Sequence, residues 1–124
     1  MAAEWGRLCR AKDLEVEEHY IDVRCSGERR QRIAVEDHGE AYVISAFVVR
    51  QAVVASLPDL PIQAWLRNRA LMLVGFRIDR QNRLVGEAWI PKVGLVAEEF
   101  QLYVRTLATE CDRFEYALTG KDVE

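Results

Sequence analysis

No apolar run in this 124-residue chain approaches the roughly 18 residues that a bilayer-spanning helix needs, so an integral helical membrane protein is excluded. Histidine is scarce. His19 and His38 each follow an acid, but strand neighbours point to opposite faces, and no metal or general-base role is expected of either. The three cysteines, Cys9, Cys25 and Cys111, are widely spaced and odd in number, which fits neither a disulfide framework nor paired zinc ligands. Reduced, mostly buried thiols are the expectation. HExxH, GxSxG, P-loop and dinucleotide-binding glycine patterns are all missing, so no catalytic residue and no cofactor is expected.

Charge of one sign is also in short supply. A net charge of −3 and a pI near 5.5 supply no global attraction to phosphate backbones or anionic membranes, and neither is an expected partner. The N-terminus, Met1 to Arg7, carries Glu4 and Arg7 and lacks the apolar core of a secretory signal, so a cytoplasmic location is expected.

What is present is a normal globular composition, with 50% hydrophobic and 30% charged residues. One core suits this length, so residues 1–124 are read as a single domain. Ala2 to Lys12 allows a short helix, with Trp5, Leu8 and Cys9 at i, i+3 and i+4. From Val16 the period changes to two. His19, Ile21, Val23 and Cys25 share one face, Ser26-Gly27 turns the chain, and Gln31, Ile33 and Val35 alternate with Arg30, Arg32 and Glu36.

After the Asp37-His38-Gly39-Glu40 turn, Ala41 to Val49 reads as a third strand that is apolar on both faces and therefore wants cover on two sides. Gln51 to Leu60 extends that strand or begins a helix, and the residues leave both open. A helix from about Pro61 to Arg69 places Ile62, Trp65 and Leu66 on one face. Leu71 to Ile78 and Arg83 to Ile90 form a second hairpin around Asp79-Arg80-Gln81-Asn82. In Val96 to Leu118 the residues Phe100, Tyr103, Val104, Leu107, Cys111, Phe114 and Leu118 recur at helical steps, and Gly120 follows as the terminating residue. The expected fold is α+β: helix, three antiparallel strands, helix, two antiparallel strands, helix.

The second half of that order carries Trp65-Leu66-Arg67-Asn68-Arg69-Ala70-Leu71, Gly75-Phe76-Arg77-Ile78-Asp79, Arg83-Leu84-Val85, the Pro91 to Leu95 loop, Glu98-Glu99-Phe100 and Cys111-Asp112-Arg113-Phe114-Glu115. In these residues it resembles the YbjN family of small bacterial proteins, whose domain is similar in fold to the type III secretion chaperones. The resemblance implies an α+β sandwich, a homodimer, and protein binding or regulation without catalysis.

Two arginine clusters, Arg29, Arg30 and Arg32, and Arg77, Arg80 and Arg83, are expected to form solvated rims, with an anion or acidic-peptide site as the other use of such forks. The expected function is a non-enzymatic, chaperone-like or regulatory domain that dimerises and binds a protein or peptide client. Apolar client side chains would enter pockets on the sheet, with main-chain pairing at an exposed edge. Phe47, Val49, Trp65 and Trp89 are the expected dimer or client contacts. The alternative is a small-ligand binder or enzyme with a pocket between sheet and helices.

Overall fold

A computed structural model describes residues 4–120 of the chain. A 3₁₀ turn at Glu4–Leu8 leads into strands β1 (Leu14–Val16), β2 (Tyr20–Arg24), β3 (Arg30–Asp37) and β4 (Ala41–Val49). Helices α1 (Gln51–Ser56) and α2 (Leu60–Ala70), strands β5 (Gly75–Ile78) and β6 (Leu84–Pro91), and helix α3 (Ala97–Thr119) follow. The six strands make one antiparallel sheet in the order β1-β2-β3-β4-β6-β5. The class is α+β.

Most elements lie where the alternation places them. Gln31, Ile33 and Val35 are the buried side of β3, and Gly27 and Gly39 take φ of 65° and 86° in the turns that flank it. Three local features differ. The N-terminal helix is a five-residue 3₁₀ turn held by docking, since Trp5 stacks on Phe100 and Gln101 Nε2 donates to the Leu8 carbonyl at 2.8 Å. The expected helix also included Ala2 and Ala3, which lie outside the described residues. Strand β1 is an addition, too short for its alternation to register in the sequence. The open segment after β4 is helix α1: pairing with β6 passes a register shift between Phe47 and Val49 and stops at Val49 opposite Leu84, the first residue of β6.

Helix α3 lies across one face of the sheet. Phe100, Val104, Leu107, Ala108, Cys111 and Phe114 are fully buried against it, and Gly120 (φ 74°) closes the helix by donating its N–H to the Tyr116 carbonyl. Packing is closest at Gly86 of β6, where an added Cβ would stand 2.6 Å from Cys111 Sγ and 3.0 Å from Leu107. That leaves no room for a ligand between sheet and helix at this point. Helix α2 sits beside β5 at the edge of the sheet, with Leu60 and Ala64 inward. Among the described residues no helix is long and apolar enough to cross a membrane.

The link from α2 to β5 contains Leu73 at φ 74°, a left-handed conformation that L side chains resist. Leu73→Gly should therefore raise the unfolding free energy by about 0.5–1 kcal/mol, after allowance for the extra chain entropy of glycine. Urea titration gives the measurement, as a higher midpoint at unchanged slope.

Candidate interaction surfaces

The sheet face away from α3 is built by the odd positions of β4 and β6. Register puts Val43 opposite Trp89, Ser45 opposite Glu87 and Phe47 opposite Val85. Val43 and Val85 are shielded by their neighbours, yet neither belongs to the main core, and Phe47 and Trp89 stand 48% and 58% exposed. The two-sided cover that β4 called for is thus supplied by this chain on one side only.

Charges around this apolar centre are neutralised on the surface itself. Arg77 Nε donates to Glu87 at 2.9 Å, and Arg32 donates to Asp22 at 3.3 Å with its guanidinium over Tyr20. Arg83 is paired with Asp79 at 2.8 Å and lies over Phe47, while Arg30 reaches Glu15 at 3.5 Å. His38 meets Trp89 edge-on, its ring centre 5.3 Å away, and its Nε2 is 2.9 Å from Glu36. These arginines form the rim expected of them. Arg29 does not: its Nε donates to both carboxylate oxygens of Asp112 at 3.0 Å, tying the first hairpin to α3.

A second apolar surface lies on α2. Ile62, Trp65 and Leu66 share a face as the spacing implies, and that face points outward, 62%, 58% and 51% exposed. Met72 and Leu73, just past the end of α2, are exposed as well. An edge helix has one narrow side to bury, and the small Ala64 with Leu60 fills that side. Between α2 and β5 runs an open groove of about 250 Å³, lined by Ala64, Trp65, Asn68, Phe76, Arg77 and Ile78 among others. A larger one of about 490 Å³ lies at the far end of the sheet, between the 3₁₀ turn and β1.

Of the four residues singled out in the sequence, three are thus on the surface: Phe47 and Trp89 on the open sheet face, Trp65 on α2. Val49 is 4% exposed and packs in this chain's own core, because the register shift after Phe47 turns it inward. It has no surface to offer a partner. Main-chain pairing at the β5 edge also meets an obstacle, since Asn68 already holds the N–H and C=O of Phe76. Nothing local in the sequence marks Asn68 for that contact.

The thiols are poor nucleophiles. Burial pushes Cys9 up to about 12 and Cys25 to about 11, and raises Cys111 further still. Among the described residues no group of three or more His, Cys, Asp or Glu side chains converges as metal ligands would. Near Asp112, Gln31 Nε2 donates to Glu115 at 2.9 Å, and burial first, then the Asp112 charge, holds the Glu115 carboxyl above its ordinary value. A carboxyl raised on folding contributes stability at low pH that is lost as pH rises through its folded value. Glu115→Gln keeps an acceptor for Gln31 and removes that loss. Its thermal midpoint should rise above wild type as pH increases through the carboxylate range, and the two should converge under acid conditions, as a pH series of melts would record.

No family model matches the chain, and no curated protein does. Among solved structures it is similar to a chain of the ExsC–ExsE complex, with 17% identity, 92% of this chain and 86% of that one covered, and a TM-score of 0.51. It is also similar to the Yersinia pestis type III secretion chaperone SycH, solved with a stable fragment of YscM2, with 11% identity, 84% and 87% covered, and a TM-score of 0.46. At 17% identity the likeness to the ExsC–ExsE chain speaks to the fold alone, and that fold is the α+β arrangement the sequence led us to expect.

Proposed function

We propose that this chain is a cytoplasmic, non-enzymatic protein-binding domain of the YbjN and secretion-chaperone kind, chaperone-like or regulatory, that acts as a homodimer and binds a protein or peptide client. The observation that carries this reading is the pair of apolar surfaces left bare by a fully packed core. Soluble monomers seldom expose contiguous apolar patches beyond a few hundred Å². Ile62, Trp65 and Leu66 on the outer face of α2, and Met72 just past its end, are each at least 51% exposed. This surface is assigned to the second copy.

The open sheet face is assigned to the client, with Phe47 and Trp89 as anchors for its apolar side chains. Charges there are already paired, so a client gains little from salt bridges and most from apolar contact. The ExsC–ExsE structure is itself a complex with a partner, which supports the same use of this fold here.

Light scattering of the purified chain at micromolar concentration tests the dimer, and a monomer would overturn it. Co-purification from the native host tests the client. Phe47→Glu and Trp89→Glu should each lose the captured partner while the mass stays that of wild type. If these changes split the dimer and leave the partner bound, the two assignments are reversed.

A further inference from the structure

Strand β5 is four residues long and forms one outer edge of the sheet. An edge strand offers unpaired N–H and C=O groups to any other strand, and soluble proteins shield such edges. Here helix α2 lies alongside the edge, and one of its side chains takes up main-chain groups of β5. Asn68 Oδ1 accepts from the Phe76 N–H at 2.7 Å, and Asn68 Nδ2 donates to the Phe76 C=O at 2.9 Å.

A carboxamide carries one acceptor and one donor group in the same plane, as a peptide unit does, so this pair of bonds imitates a neighbouring antiparallel residue. The amide also lies against Gly75, where an added Cβ would stand 3.6 Å from Oδ1. Helix α2 is also held by its buried Leu60 and Ala64 and by Arg67, whose guanidinium lies 4.2 Å from the Phe114 ring centre.

We propose that Asn68 is a positioning residue that closes the β5 edge against a second copy of this chain. It confines self-association to side-chain contact on α2, which a twofold axis can close at two copies. Without it, edges could pair strand to strand, and a contact that does not close runs on into larger assemblies. The statement about two copies rests on the homodimer proposed above; the closing of the edge does not.

The test compares Asn68→Ala with wild type by light scattering across the micromolar range and by hydrogen exchange at the Phe76 amide. The Phe76 amide of the variant should exchange roughly tenfold faster or more once its acceptor is gone. Its mass should climb with concentration past that of wild type. A mass equal to wild type at every concentration, with Phe76 exchanging faster, overturns the proposal, because the bonds would then only brace α2. If Asn68→Ala does not fold, Asn68→Asp, which keeps the shape but has no donor for the Phe76 carbonyl, is judged by the same rise or constancy of mass. A monomeric wild type would remove the homodimer alone, since growth of the variant beyond the wild-type mass would still be read directly.

Discussion

Trp65→Asp should convert the proposed homodimer to monomers without unfolding the chain. Trp65 stands 58% exposed on the outer face of α2, with the Arg69 guanidinium 5.1 Å from its ring centre, so its removal opens no cavity in the core. Exposed aromatic anchors are the side chains whose truncation costs an interface most, about 2 kcal/mol or more each. A twofold axis presents Trp65 twice, so the loss is roughly 4 kcal/mol per dimer, or a dissociation constant about 10³-fold weaker. The introduced carboxylates would add desolvation and mutual repulsion to that. Analytical ultracentrifugation reads the change in mass, and circular dichroism checks that the fold survives. A Trp65→Asp chain that sediments as wild type does would move the dimer contact off α2.

The second large effect is on stability, at Gly86. A methyl group there would meet Cys111 Sγ at 2.6 Å, Leu107 at 3.0 Å and Phe76 at 3.2 Å, all on side chains buried in the core. Overpacking of this kind forces backbone shifts or off-rotamer side chains, so Gly86→Ala should cost about 2 kcal/mol, or roughly 8 °C in melting temperature for a domain of this size. The closest contact is with sulfur. Cys111→Ala, which alone leaves a small void, should therefore make Gly86→Ala less harmful by about 1 kcal/mol in a double-mutant cycle. Strictly additive effects would mean that α3 yields as a whole and that the sulfur contact is not the limiting one.

These two sites differ in how far the sequence announced them. The stripe of α3 was legible because seven apolar residues repeat over more than five turns, and a pattern of that length outweighs local ambiguity. The faces of β2 and β3 were legible for the same reason with period two. Gly86 read only as an isolated strand glycine, since the α3 side chains that crowd it, Leu107 and Cys111, are more than twenty residues away along the chain. Arg29 read as one of a solvated cluster, and its partner Asp112 is 83 residues distant. Strand β1 and helix α1, at three and six residues, are too short for periodicity to identify.

Local periodicity and turn chemistry alone determined the α+β class, the two hairpins, the closing helix and the surplus of apolar strand surface, because each depends on residues within a few positions of one another. Tertiary structure alone decided which side of the sheet α3 covers, that α2 turns Ile62, Trp65 and Leu66 outward, that Val49 is sealed in the core while Phe47 is not, and that Asn68 takes the place of a neighbouring strand. Each of those outcomes is a contact between segments distant in the chain, and the free energy that selects it arises only when both are brought together.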